Sequence, residues 1–316
     1  MDSIPYNRVD FCKQIVKRHK KVAFFIASLV QFVYNRSINF ASGRCAMDYA
    51  GLALFTDLDR TLFNHSREVS PKNRQALELF QREGGLFGIA TGRAPMNALG
   101  LLPRFPMNTW SVVLNGAEAY NFSTGTAAFP RLLPQILTAT FLGYVLEKLP
   151  QVNVLLCSES RIFFLSPQAL ADRDFLLSHR PCTFTGLETA LGYPWLKVLF
   201  CAPRPVLEAL ERTAAEMDLF SAVDRVYTGP VYLEFLPKGV HKGRCLGDLR
   251  CLDALRGRKM IAVGDWTNDI ELLDEADLAA AVDNALPEVK AHADILLPSN
   301  EEDAIAHLIY EVIPSL

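Results

Sequence analysis

Short apolar runs that end in acidic, amide or hydroxyl residues, separated by segments of helix length, dominate the chain after residue 50. Residues 52–56 lead into Asp57 and Asp59, and residues 86–90 lead into Thr91-Gly92-Arg93. Residues 111–114 lead into Asn115-Gly116, and residues 259–263 into Gly264-Asp265. Neighbouring parallel strands need a crossover of a dozen or more residues, usually a helix, so this rhythm restricts the chain to an α/β fold built on a parallel sheet. The first crossover reads as a helix opened by Ser70-Pro71, with Ala76, Leu77, Leu79 and Phe80 on one face and Gly84-Gly85 at its end. The same alternation returns with a helix over 267–275, strands over 278–282 and 294–297, and a closing helix over 301–310.

The middle of the chain has a different pattern. Residues 133–149 have helical apolar spacing, and 152–157 with 161–165 read as a hairpin. A strand over 195–201, a helix over 206–217 and a strand over 223–228 follow. The expected architecture is thus α/β, a Rossmann-like parallel sheet core with an inserted α+β cap domain. Residues 47–127 and 230–316 form the core, 128–229 the cap, and 1–46 an N-terminal extension.

That extension is basic, with eight Lys/Arg against two Asp/Glu, whereas the remainder has 24 against 33. A basic stretch over 17–21 precedes an apolar run over 22–34, shorter than the roughly 20 residues that span a bilayer as a helix. Three readings stand side by side: a cleaved signal, an interfacial anchor giving membrane contact through residues 17–34, or an accessory extension or start assigned too far upstream of a domain that begins near Met47. The net charge of −3 argues neither for nor against a nucleic-acid partner, and none is expected. Seven cysteines without a Cys-x-x-Cys pair read as free thiols in a reducing compartment, so the expected location is cytoplasmic.

Open parallel sheets bind ligands at the carboxyl ends of their strands, where Asp57, Asp59, Asp265 and Asp269 would converge. Converging carboxylates repel unless a cation is present, and hard oxygen ligands suit Mg²⁺. A phosphate group fits the same place, neutralised by metal and by Lys242 and held by backbone N–H groups. Asp-x-Asp-x-Thr alone would arise by chance in roughly a few percent of chains this long. Gly-Asp-x-x-Asn-Asp is rarer, and the two together on strand ends are specific.

These residues resemble the motifs of the haloacid dehalogenase-like phosphatases, in the branch of Cof-type sugar phosphatases. The first motif is matched by Asp57-Leu-Asp59-Arg-Thr61, the second by Thr91, the branch's Asn-Gly-Ala by Asn115-Gly-Ala117, the lysine by Lys242 and the fourth by Gly264-Asp-Trp-Thr-Asn-Asp269. The resemblance covers about residues 48–316. It implies that Asp57 is the nucleophile and forms an aspartyl-phosphate, while Asp59 protonates the leaving alcohol and then activates water. It implies phosphate contacts from Thr91, Gly92, Lys242 and Asn268. Metal ligation falls to Asp57, Asp59 (through its carbonyl), Asp265 and Asp269. The partner it implies is a small phosphorylated metabolite, a sugar phosphate or phosphorylated cofactor, selected by the cap.

Two positions depart from the family pattern. Arg60 stands where a Gly is usual, and Asp283-Asn-Ala285 replaces Gly-Asn-Ala. Blander readings accompany the others. Arg93 either contacts the leaving group or pairs with a core acid, Asn115 shapes its turn, His241 fills a loop, and Trp266 packs or lines the pocket mouth. Glu159, Arg161 and Lys197 are polar candidates in the cap. Competing functions are a phosphomutase of the phosphomannomutase type and a catalytically silent, membrane-tethered binding protein.

Overall fold

A computed structural model of the chain describes residues 48–100, 105, 107–159, 161–166 and 182–316. The expectations for residues 1–46, and for Met47 as a domain start, lie outside the described residues. Along the chain the strands are β1 (Leu52–Thr56), β2 (Leu86–Ile89), β3 (Ser111–Val113), β4 (Glu118–Asn121), β5 (Thr126–Ala128), β6 (Asn153–Cys157) and β7 (Ile162–Phe164). They continue with β8 (Thr183–Phe184), β9 (Lys197–Cys201), β10 (Val223–Gly229), β11 (Tyr232–Pro237), β12 (Lys259–Gly264), β13 (Leu278–Val282) and β14 (Ile295–Leu297).

The core sheet is parallel, in the order β14-β13-β12-β1-β2. Ala53, Leu54 and Phe55 of its central strand are fully buried, as expected for a parallel strand covered on both faces. From β1 the connections run outward to β2 on one side, while β12, β13 and β14 fill the other. The strand order therefore reverses between β1 and β12, and a crevice opens at their carboxyl ends. The helix Pro71–Arg82 forms as the sequence predicts. Ser70 Oγ accepts from the Asn73 N–H at 3.1 Å, and Ala76, Leu77 and Phe80 are buried.

Residues 111–114 do not extend this sheet as the sequence rhythm suggests. β3 touches it through a single bridge, Ala90 to Val112, and pairs antiparallel with β4, which pairs with β5. The hairpin β4–β5 escaped the sequence reading because its strands are short and half polar. Its turn is carried by Asn121, whose side chain accepts from the Ser123 N–H. The closing helix starts later than predicted, at Ala304, because Asp303 takes a left-handed conformation (φ 58°).

The inserted sheet has the order β10-β11-β9-β6-β7-β8, antiparallel except for β7–β8. It runs past the expected boundary at 229, since β11 pairs with both β10 and β9. A short helix, Leu187–Ala190, also lies here and was not predicted. Strand alternation divides the sheet cleanly. Val154, Leu156, Val198, Phe200, Leu233 and Phe235 pack in one buried cluster with Phe141, Leu142, Val145, Leu207 and Leu210 of the helices Gln135–Lys148 and Arg204–Glu216. Leu155, Cys157, Leu199, Cys201 and Leu236 point the other way and cluster with Ala94, Leu114 and Ala117 of the core. One apolar face thus builds the cap, and the opposite face seats it on the core.

Glu118 of β4 is fully buried, and neither carboxylate oxygen has a hydrogen-bond partner among the described residues. Burial, with Glu159 adding repulsion, pushes its pKa up to about 7. Its folded-state pKa is above the ordinary carboxylate value, so folding holds the proton and the penalty of ionisation grows as pH rises from about 4.5 to 7. Glu118→Gln is therefore expected to raise the melting temperature at pH 8 by about 2–5 °C and to change it little at pH 4.5. Thermal denaturation at the two pH values checks this; an equal effect at both would remove Glu118 ionisation as the cause.

Candidate active site

Asp57 leaves the end of β1 with its N–H donated to the Val263 carbonyl of β12 at 2.9 Å, which fixes it at the crevice. Lys242 opens the helix Lys242–Leu249 and is fully buried. Its Nζ donates to Asp57 Oδ1 at 2.7 Å and to Asp269 Oδ1 at 2.6 Å. Asp269 Oδ2 accepts from the Asp265 N–H at 3.0 Å and the Trp266 N–H at 3.2 Å, so it also closes its own turn. Thr61 Oγ1 donates to Asp265 Oδ1 at 2.8 Å. Asp265 Oδ2 is buried and has no hydrogen-bond partner among the described residues.

The electrostatics follow from this burial. Burial pushes Asp57 well above the ordinary carboxylate range, against the pull of Lys242. Burial, reinforced by Asp269, pushes Asp265 up to about 7. Burial alone would lower the Lys242 pKa, but Asp269 and Asp57 outweigh it and push it above its usual value. One ligand oxygen from each of Asp57, Asp265 and Asp269 lies within 4.8 Å of the others. The single lysine does not balance three carboxylates, and the orphaned Asp265 Oδ2 offers a hard oxygen to a cation.

Asp59 stands apart from that cluster. Its side chain is 47% exposed and takes a two-pronged bond from Arg93, Nε to Oδ2 at 2.9 Å and Nη2 to Oδ1 at 2.7 Å. Arg93 pairs with an acid here, but with the half-exposed Asp59 and not with the core acid that the sequence suggested. Thr91 is buried, its Oγ1 accepting from the Arg93 N–H at 3.1 Å. Gly92 follows it on the cavity wall. Asn268 Nδ2 donates to Asn115 Oδ1 at 2.9 Å.

The loop after β3 is bent to reach this place. Leu114, Asn115 and Gly116 have φ of 51°, 54° and 94°. Left-handed backbone costs a non-glycine residue about 1–2 kcal/mol. At Gly116 a Cβ would meet the His241 carbonyl oxygen at 2.2 Å, so only glycine lets the loop press on the start of the lysine helix. His241 is more than filler: its Nδ1 accepts from the Arg244 N–H at 3.2 Å and caps that helix. Gly243 allows a second close approach, since a Cβ there would meet the Glu271 carbonyl at 1.9 Å.

Arg60 occupies a left-handed position (φ 65°), which explains why glycine is usual there. The guanidinium lies 5.1 Å from the Trp266 ring centroid, and Nε is 3.6 Å from Asp265 Oδ2. The Arg60 carbonyl accepts from Asn284 Nδ2 at 2.8 Å. The loop keeps Thr61 in register despite the large side chain. Asp283 faces away, paired with Lys290 at 2.8 Å. Trp266 lines the cavity and donates its indole N–H to the Tyr227 carbonyl at 3.2 Å.

A cavity of about 430 Å³ joins these groups to the cap. Lys197 and Glu234 line it from the cap side, with Leu155, Cys157 and Leu199. Lys197 Nζ is 2.9 Å from Glu234 Oε2 and donates to the Gly92 carbonyl at 2.6 Å. The sequence reading named Lys197 without placing it and missed Glu234. The signal was present: each is a lone charge in an otherwise apolar strand. Neither Glu159 nor Arg161 is among the residues lining this cavity.

A parallel sheet with acids and a buried lysine at its switch point, roofed by an inserted sheet, defines a capped α/β phosphohydrolase. A family model described as haloacid dehalogenase-like hydrolase matches residues 54–309, and the chain belongs to that family, in its Cof-type phosphatase branch. It is 25% identical over 283 residues to the 5-amino-6-(5-phospho-D-ribitylamino)uracil phosphatase YwtE of Bacillus subtilis, covering 81% of this chain and 96% of that protein. It is also 25% identical over 273 residues to the chloroplastic endoribonuclease YBEY of Arabidopsis thaliana, where 81% of this chain spans only 46% of the relative. Among solved structures, a HAD/COF-like hydrolase from Plasmodium vivax superposes with a TM-score of 0.72 at 22% identity, covering 86% of this chain and 99% of that one. Among the described residues no helix is long and apolar enough to cross a membrane.

Replacing Lys242 with Met leaves two buried carboxylates without their shared cation. The loss of stability expected is about 3–5 kcal/mol, because an uncompensated buried charge remains. Urea denaturation at neutral pH measures it; an unchanged midpoint would show that Asp57 and Asp269 are held neutral without the lysine.

Proposed function

We propose that the protein hydrolyses small phosphate monoesters, sugar phosphates or phosphorylated cofactors, through an aspartyl-phosphate on Asp57, with Mg²⁺ as cofactor. The observation that carries this reading is Lys242 bridging Asp57 and Asp269 beside the orphaned oxygen of Asp265. Asp57, Asp265 and Asp269 would hold the cation, with the Asp59 carbonyl as a further ligand. Bound there, Mg²⁺ would supply positive charge to the phosphoryl oxygens.

In the first half-reaction an Asp57 oxygen attacks phosphorus and the bond to the ester oxygen breaks. Asp59 gives its proton to that leaving oxygen, so an alcohol departs. Arg93 now grips both Asp59 oxygens, a geometry that suits the ionised carboxylate. Proton donation therefore requires that fork to open, which frees Arg93 for the incoming ester. In the second half-reaction Asp59 takes a proton from water as the water oxygen attacks phosphorus. The Asp57–phosphorus bond breaks, inorganic phosphate leaves, and both carboxyl groups regain their starting states. Thr91, the Gly92 backbone, Lys242 and Asn268 hold the phosphoryl oxygens, since phosphoryl transfer is mainly a matter of positioning and charge neutralisation.

The leaving group occupies the cavity under the cap. Its volume suits a compact metabolite. The substrate named for the Bacillus subtilis relative, a phosphorylated ribityl-aminouracil, belongs in the first round of a screen. We place the protein in the cytoplasm: among the described residues Cys157, Cys245 and Cys251 are free thiols, which suits a reducing compartment.

The decisive experiment is a screen of phosphorylated metabolites with wild type and Asp57→Asn. Phosphate release should require Mg²⁺, stop on chelation, and fall by at least about 10³-fold in the variant. An Asp57→Asn protein that keeps its activity would sink the assignment.

Arg60→Gly tests the metal site without turnover. Removing a half-exposed cation 3.6 Å from Asp265 Oδ2 is expected to tighten Mg²⁺ binding about two- to fivefold by calorimetry. Weaker binding in that variant would mean that Arg60 supports the metal site instead of competing with it.

A further inference from the structure

The buried pair Lys197–Glu234 is not used by the chemistry above, yet it touches both halves of the phosphate-holding apparatus. Lys197 lies on β9 and Glu234 on β11, adjacent strands of the cap sheet. Both side chains point to the core-facing side, which is otherwise lined by Leu155, Leu199 and Leu236. Their side chains are 4% and 5% exposed.

Every polar contact of the pair that leaves the cap reaches the loops at the crevice. Lys197 Nζ holds the Gly92 carbonyl at 2.6 Å, in the loop that carries Thr91 and Arg93. Glu234 Oε2 accepts from Asn115 Nδ2 at 2.6 Å, and Asn115 Oδ1 accepts from Asn268 at 2.9 Å. Glu234 Oε1 is steadied within the cap by Thr228 Oγ1 at 3.3 Å. A relay of side chains therefore runs from Gly92 through the cap pair to Asn115 and Asn268. A buried ion pair stabilises a fold no better than apolar residues of similar volume. What this pair supplies that a leucine pair cannot is fixed geometry at two loops.

We propose that Lys197 and Glu234 are positioning residues: a cap-borne clamp that makes the phosphate-holding geometry of the Thr91–Arg93 loop and of Asn268 depend on the seated cap. The clamp acts through Gly92 and Asn115 and requires no contact with substrate. It rests on the reading of Thr91 and Asn268 as phosphate contacts.

The test compares the full chain with Lys197→Met/Glu234→Met, an uncharged pair of similar volume that leaves no unpaired buried charge. Calorimetry with inorganic phosphate in the presence of Mg²⁺ gives the affinity, thermal denaturation the stability, and hydrolysis of a simple aryl phosphate the kcat. The clamp predicts a melting temperature near that of wild type, phosphate affinity weakened about tenfold, and kcat lowered by a similar factor with KM changed less. A stable double variant with wild-type phosphate affinity and kcat overturns it. Should the double variant fail to fold, Lys197→Met/Glu234→Gln serves instead. It keeps an acceptor for Asn115, leaves no buried charge unpaired and loses the hold on Gly92, and a folded variant of this kind with wild-type phosphate affinity overturns the proposal equally. Thr91→Val separates the two levels. Unchanged phosphate binding in Thr91→Val counts against the phosphate site itself. Loss there, with no change in the double variant, counts against the clamp alone.

Discussion

The Lys242 ammonium, buried between Asp57 and Asp269, is the contact on which the rest of the site depends. Three buried carboxylates from the ends of β1 and β12 and from the turn after β12 would otherwise repel at the floor of the cavity. Charges so placed are tolerated only when paired and hydrogen-bonded. The lysine meets two of them, backbone N–H groups and Thr61 take further lone pairs, and one oxygen of Asp265 is left without a hydrogen bond, with only Arg60 beside it at 3.6 Å. The imbalance suits the proposed binding of a cation and a phosphate. A fully neutralised cluster would be a more stable piece of core and a poorer binding site.

Holding that lysine in place takes backbone strain nearby. Three successive left-handed residues, Leu114 to Gly116, bring the loop after β3 against the start of the lysine helix, and His241 caps that helix. Arg60 adds a fourth left-handed residue on the opposite wall. Strained conformations persist where surrounding contacts over-determine them. Here the contacts are the Asn115–Asn268 and Asn115–Glu234 bonds on one side and the Arg60–Asn284 bond on the other.

The cap is fixed by simple alternation. Successive residues of β6, β9 and β11 face opposite ways, so one set makes the cap's own core and the other its seat on the catalytic body. The few polar residues on the seated face, Lys197 and Glu234, are carried directly to the crevice. A shift of one residue in any of these strands would bury the wrong set and empty the roof of the cavity.

Much of this was legible without coordinates. The strand–helix rhythm, the aspartates at strand ends, Thr91 and Lys242 are local signals, because a parallel sheet places every strand end at one edge whatever the details of packing. The α/β core and the inserted cap followed from the same rhythm. The hairpin β4–β5, the departure of β3 from the core sheet and the extent of the cap sheet were not legible, because short polar strands take their identity from the partner they find. Nor could sequence reveal that Arg93 pairs with Asp59, since the two lie 34 residues apart on different strand ends. The sequence by itself determined which side chains are available to the chemistry and which edge of the fold they share. Only the tertiary structure decided how they are paired, that Arg60 stands over Asp265, and that two charges from the cap reach Gly92 and Asn115. Those pairings depend on distances across chain separations of tens to hundreds of residues, which no local pattern encodes.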